Sequence, residues 1–246
     1  MTITDESSRA RASYDAWHAP IPADEEGESP WHRLLRRHLD PAKDLAGRRV
    51  LEIGCGRGSL TRWMMAQADR PATLLAADFS GTAVAKAKTA SAEAGHPPVA
   101  WAISDIQAIG IRDATFDTVI SCETIEHVPD PRQALRELAR VLKPGGRLLL
   151  TTPNYFGPMG LYRGYLRLTG RRYTETGQPI NRFTMLPLTR AWTAGSGLDV
   201  EIVDGEGQYL PFPGRPPVRC AILERPRVLA RWFALHSLVV ARKRRT

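Results

Sequence analysis

The residues that could do acid–base or metal chemistry crowd into Ser121-Cys122-Glu123-Thr124-Ile125-Glu126-His127, which sets two carboxylates beside an imidazole. If this segment turns helically, Glu123, Glu126 and His127 stand at i, i+3 and i+4 and share one face. Three roles are open to them. His127 could act as a general base, taking a proton from a hydroxyl. The three could instead be ligands of Mg²⁺ or Zn²⁺, which would lower the pKa of a bound hydroxyl. Or Glu126 and His127 cap the helix expected to start near Pro131 and brace the loop before it.

A second cluster lies upstream, in the run VLEIGCGRGSL at 50–60. Glycines at Gly54, Gly56 and Gly58 let the chain turn tightly off a strand and expose main-chain N–H groups to a ligand. A dinucleotide fingerprint needs its third glycine five residues after the first, and Ser59 stands there. Glu52, just before the loop, would repel a pyrophosphate but suits ammonium and sulfonium charge. The loop therefore favours S-adenosylmethionine over NAD, against the alternative of a tight strand-to-helix turn with no ligand. An apolar run at 73–77 ends in Asp78, 24 residues beyond Gly54, where a carboxylate can accept two ribose hydroxyls. The next run, 99–103, leads to Ser104-Asp105-Ile106, with Asp105 placed to accept from an adenine amino group and Ile106 to lie against the ring.

The elements that must hold these residues follow a regular alternation. Strands are expected at 73–77, 99–103, 116–121 and 147–151 after the one that enters the glycine loop, with an amphipathic helix at 131–142 and a turn at Lys143-Pro144-Gly145-Gly146. Strands separated by helix-length segments require a parallel sheet, and ligands of such sheets bind outside the strands' carboxyl ends.

EIGCGRG, Asp78, SDI at 104–106, SCETIEHVPDP and LKPGG together resemble the class I S-adenosylmethionine-dependent methyltransferases, over roughly 45–152. The resemblance implies a doubly wound, Rossmann-like α/β domain with a seven-stranded, mostly parallel sheet. It adds a helix at 184–194, a sixth strand at 198–204 and a seventh at 236–242, antiparallel beside the sixth. It assigns the methionine part of the cofactor to Glu52, Gly54 and Gly56, the ribose to Asp78 and the adenine to Asp105 and Ile106; Cys55, Phe79, Ser121 and Cys122 are expected to complete the site. The run CETIEHVPDP is similar to the ubiquinone-biosynthesis O-methyltransferases, and E-x-x-E-H is shared with metal-dependent small-RNA 2′-O-methyltransferases. Both imply a divalent ion at Glu123, Glu126 and His127. The RNA enzymes supply a further metal-binding histidine, and the matching stretch here, 178–184, has none.

A chain of 246 residues can bury one large core, so residues 45–246 are read as one methyltransferase domain preceded by an arm at 1–44. The arm is polar, with Asp24-Glu25-Glu26, yet carries Tyr14, Trp17 and Trp31; it is either a lid over cofactor and acceptor or a helix packed on the sheet edge. Insertions at 154–182 and 205–218 are placed on the acceptor side. The first has Leu161, Tyr162, Tyr165, Leu166 and Leu168 at helical spacing with Arg163, Arg167, Arg171 and Arg172 between them, suggesting a lid helix or a membrane-contacting foot. The second is expected to be a rigid Pro-rich loop bearing Tyr209 and Phe212. Net charge is +8, scattered except at Arg242-Lys243-Arg244-Arg245, read as a solvated tail, which disfavours a nucleic-acid partner. Three cysteines, Cys55, Cys122 and Cys220, argue against a disulfide framework and for a reducing compartment. No apolar run is long enough to span a bilayer and no signal peptide is legible, so a cytoplasmic location is expected. The expected activity is methyl transfer to a small molecule, a hydroxyl favoured over an amine or carbon. An RNA 2′-O-methyltransferase and a non-catalytic partner subunit are the alternatives, and homodimerisation is left open.

Overall fold

In the computed structural model, which describes residues 5–22, 29–170, 182–212, 215–225 and 227–245, the apolar runs pair into one seven-stranded sheet. Its strands are β1 (Arg49–Ile53), β2 (Thr73–Asp78), β3 (Ala100–Ile103), β4 (Phe116–Cys122), β5 (Leu142–Pro153), β6 (Leu198–Glu206) and β9 (His236–Lys243). They lie in the order β3-β2-β1-β4-β5-β9-β6, all parallel except β9, which runs antiparallel to both neighbours. This is the Rossmann-like α/β fold expected.

Because successive strand residues face opposite sides, each strand feeds two cores. Val119, Leu148 and Leu150 face the side covered by α5 (Pro131–Val141), through Leu135 and Leu138. Ile120 and Leu149 face the other, against Leu34 and Leu35 of α2 (Pro30–Arg36) and Leu60 and Met64 of α3 (Ser59–Ala66). The helices start where their sequences provide caps. Ser80 Oγ accepts from Ala83 N to open α4 (Gly81–Glu93), and Asp130 Oδ1 accepts from Arg132 N and Gln133 N to open α5 with Pro131 in its first turn.

Several expectations need correcting. Within the segment read as an arm, residues 5–22 carry a helix, α1 (Asp5–His18), whose Asp15 Oδ1 accepts from Ser80 Oγ (2.6 Å) and Thr82 N (2.9 Å) of the α4 start. Lys86 Nζ then donates to the carbonyls of His18, Ala19 and Ile21, satisfying acceptors that the helix end leaves open. The acidic patch at 24–26 lies outside the described residues. Lys143 to Gly146 is a bulge inside β5, between the pairs Phe116–Leu142 and Thr118–Arg147. The second insertion is a hairpin, β7 (Tyr209–Phe212) against β8 (Arg215–Arg219), because its extended apolar residues pair across the turn. Arg242 and Lys243 are no tail either: they extend β9, where Arg242 pairs with Asp199 and Lys243 with Leu198, and Lys243 Nζ donates to Leu142 O at 2.7 Å.

The first insertion does form a helix, α6 (Pro158–Leu168), but its apolar residues do not share one packed face. Met159 and Leu166 are buried, while Leu161, Tyr165 and Leu168, one helical face apart, point outward. Residues 171–181, including Arg171 and Arg172, lie outside the described residues. The remaining helices are α7 (Leu186–Gly195) and α8 (Arg227–Phe233). Among the described residues no helix is long and apolar enough to cross a membrane.

Candidate cofactor and acceptor site

A cavity of about 710 Å³ opens at the carboxyl ends of β1, β2 and β4 and is roofed by residues of α1 and α2, among them Tyr14, Trp17 and Trp31. Glu52, Gly54, Cys55, Gly56, Asp78 and Phe79 line one end. Asp105, Ile106, Cys122, Glu123 and His127 line the rest.

The glycine loop works differently from the expectation that its amides face a ligand. Gly54 N and Cys55 N both donate to Ala77 O (2.8 and 3.0 Å), and Gly56 N donates to Asp78 Oδ2 at 2.8 Å. The amides are spent on β2, and the loop is thereby pinned to the carboxylate that would meet a ribose. At Gly54, with φ of +78°, a Cβ would overlap the Thr124 side chain, so glycine lets the loop after β4 close onto the loop after β1. At Gly56, with φ of +52°, a Cβ would meet nothing within 4 Å, and the backbone itself borders open cavity.

Glu52 is buried and accepts from Thr61 Oγ1. Burial raises its pKa to about 8, offset in part by the Thr61 hydroxyl and reinforced by Asp78. The fixed negative charge expected from the sequence is therefore conditional, since an ammonium brought alongside would favour the ionised form. Burial also raises Asp78, against amides of Ser80, Gly56 and Phe79 that hold its charge. The thiols of Cys55 and Cys122 are pushed well up, by burial first and by neighbouring carboxylates second, so they act as apolar lining rather than nucleophiles. Asp105 Oδ1 accepts from Gln107 N (2.8 Å), fixing the turn that lays Ile106 against the cavity. Charge, cavity shape and the open Gly56 backbone fit S-adenosylmethionine.

At the other end the helical reading of 123–127 fails. Only Ile125–His127 forms a 3₁₀ turn, and Glu123 sits at φ of +47°, a left-handed conformation uncommon outside glycine. Glu123 turns away from the other two. Glu123 Oε2 lies 3.5 Å from His236 Nδ1, whose ring packs 5.3 Å from that of Trp31. Glu126 is fully buried, outside the cavity, accepting from Thr152 Oγ1 at 3.3 Å and lying 3.5 Å from His127 Nε2. His127 lines the cavity, and its carbonyl accepts from Tyr14 Oη at 3.1 Å. Among the described residues no group of three or more His, Cys, Asp or Glu is arranged to hold a metal ion, so this set does not fit a divalent cation. Ser121 is also buried in β4 without lining the cavity, because its side chain points to the wrong side of the strand.

His18, Arg57, His32 and Gln107 also line the cavity and were not reached from the sequence. Arg57 contacts His18 Nδ1 at 3.2 Å and stands over Trp17 at 6.0 Å. The aromatic residues of an otherwise polar segment were the available signal for this roof. His236 could be found only by knowing that β9 inserts beside β5.

Residues 51–150 match a family described as a methyltransferase domain. The chain is 34% identical over 187 residues to the ubiquinone biosynthesis O-methyltransferase of Xanthomonas euvesicatoria, covering 72% of this chain and 75% of that one. Against the protein of the same name from Paracidovorax citrulli it is 37% identical over 117 residues, 47% of this chain, and spans about half of that relative's length (48%). A crystal structure of an S-adenosylmethionine-dependent methyltransferase from Mesorhizobium loti superimposes with a TM-score of 0.60 at 19% identity, covering 88% of this chain and 99% of that one, a likeness of fold.

Proposed function

We propose, from the premise that the chain belongs to the S-adenosylmethionine-dependent methyltransferases, that it methylates a hydroxyl of a small molecule with His127 as general base. The observation that carries the acceptor chemistry is the imidazole of His127, lining the same cavity as Asp78 with the buried Glu126 carboxylate 3.5 Å from its Nε2. The relatives' designation as O-methyltransferases supports an oxygen acceptor.

When bound, the cofactor supplies an electrophilic methyl group on a sulfonium. Asp78, tied to Gly56 N, would hold the ribose hydroxyls, Glu52 would take on charge beside the ammonium, and Asp105 and Ile106 would hold the adenine. His127 receives the proton that the acceptor hydroxyl loses as it attacks, and Glu126 steadies the imidazolium that results. Helices α1 and α2, whose residues roof the cavity, act as a lid that excludes water, and the described residues of the two insertions, 154–170 and 205–212 with 215–218, shape the acceptor side. Most of the rate comes from alignment of hydroxyl and methyl, which can supply several kcal/mol. The residues do not form a metal site, because Glu126 pairs with His127 beneath the cavity while Glu123 turns away to His236. The three cysteines, unpaired in the structure, support a reducing, cytoplasmic setting.

Calorimetric titration with S-adenosylhomocysteine tests the cofactor half. Binding by the wild type and its loss in Asp78→Ala is the expected result, unchanged by EDTA or Mg²⁺. Absence of binding to the wild type would promote a non-catalytic partner subunit, and a heat dependent on Mg²⁺ and lost in Glu126→Ala would restore the metal. Turnover of His127→Ala against a panel of phenols, alcohols and amines tests the acceptor half, and undiminished turnover would remove His127 as base.

A further inference from the structure

A second cavity, of about 260 Å³, lies at the opposite end of the strands, where β1 and β4 begin and β9 ends. Six cationic side chains line it, Lys43, Arg48, Lys143, Arg147, Arg242 and Arg245, with two carboxylates, Asp44 and Asp117. Four of the cations have carboxylate partners. Arg147 bonds the buried Asp44 at 2.5 Å, Lys143 meets Asp117 at 2.8 Å, and Lys43 and Arg242 meet Asp40 and Glu201 from outside the lining at 2.7 and 2.5 Å. Among the described residues Arg48 and Arg245 have no ion-pair partner; Arg48 Nε donates to Lys43 O at 3.0 Å. Arg147 adds a third observation. Its side chain is only 15% exposed, and its buried Nε lacks a hydrogen bond, with Glu201 at 3.7 Å its ion-pair contact.

The floor is the Gly145-Gly146 bulge. Gly145 has φ of +79°, and a Cβ there would stand 3.1 Å from Arg245 Nε, so glycine admits the guanidinium to the cavity wall. Arg242 Nη1 donates to Gly145 O (2.8 Å) and fixes the bulge from the other side. The basic run 242–245, which the methyl-transfer site does not use, thus ends on this cavity.

We propose that this is an anion site for a tetrahedral oxydianion, a phosphate group carried either by inorganic phosphate or by a small phosphomonoester. Two guanidinium groups without a close ion pair, Arg245 and Arg48, the latter acting on Asp117 only through the wider field, bring positive charge to the dianion, and their planar N–H forks match its oxygens. The lining contains no aromatic ring, so a nucleobase has nothing to stack on and the phosphate group itself is what the cavity recognises. Its position at the amino ends of the parallel strands separates it from cofactor and acceptor, and the inference is independent of the transfer chemistry.

The test is calorimetric titration of the full chain, saturated with S-adenosylhomocysteine, with inorganic phosphate and separately with glycerol 3-phosphate, ionic strength being held with NaCl. One saturable site is expected, weakened about tenfold or more in Arg48→Ala/Arg245→Ala and largely kept in Arg48→Lys/Arg245→Lys. Tighter binding of glycerol 3-phosphate assigns the ester, and tighter binding of inorganic phosphate assigns the free ion. Both variants alter exposed side chains, and unchanged melting temperature confirms their fold. No saturable binding, or binding equal in wild type and the alanine variant, overturns the site, as does binding seen only without S-adenosylhomocysteine.

Discussion

The residues that matter most are those whose environment changes their ordinary behaviour. Folded Glu52 keeps its proton to about pH 8, whereas the unfolded chain loses it near 4.5. Between those values unfolding releases a proton, so the contribution of Glu52 to stability is complete at acid pH, declines as pH rises and levels off above about 8. Melting of the ligand-free protein from about pH 5 to about pH 9 should show that decline, and Glu52→Gln should flatten it. His127→Ala should lower kcat by about 10²- to 10⁴-fold with little change in the binding of S-adenosylhomocysteine, read by steady-state kinetics beside calorimetry. The acids that border strands, Glu52, Asp78 and Asp105, were legible because a carboxylate at the tip of a parallel strand has few other uses. Glu126 was not, since a carboxylate beside a histidine looks the same in sequence whether it faces substrate or sinks under Thr152.

At the scale of elements, the strands β2 to β4 and the helix α5 were readable within a residue or two, because period-2 apolar runs and caps such as Asp130-Pro131 act locally, whereas β5 begins five residues before its expected start because the bulge at 143–146 keeps it in the ladder. What escaped was set by tertiary contacts. The left-handed Glu123 follows from docking against His236, the helix α1 is held by Lys86 and Ser80, and the β7–β8 hairpin depends on residues across a turn. Two element-scale outcomes follow. Replacing Asp15 or Lys86 by alanine should loosen α1 and raise KM for the methyl donor several-fold while leaving the core's melting nearly unchanged, as kinetics and calorimetry would record. Gly54→Ala should cost about 1–3 kcal/mol by overpacking against Thr124, visible as a lowered melting temperature, and Thr124→Ala should rescue it only in part because the positive φ persists.

Across the whole molecule, one buried ion pair ties the segment before β1 to β5: Asp44, 2% exposed, accepts from Arg147 and from Asp40 N, while its own carbonyl accepts from Thr118 Oγ1. Asp44→Ala strands a buried guanidinium and should destabilise the protein by about 3–5 kcal/mol, measured by urea denaturation. The sheet's strand order has a bearing on synthesis. β9 is made after β6 yet lies between β5 and β6, so those two strands have no direct pairing to fall back on. On the ribosome, the cofactor half of the molecule can assemble while β5, rich in leucine, still presents an open edge to other nascent chains. Aggregation during expression should therefore depend on how quickly residues 236–243 emerge and dock, and a chaperone that shields strand edges would act in that interval.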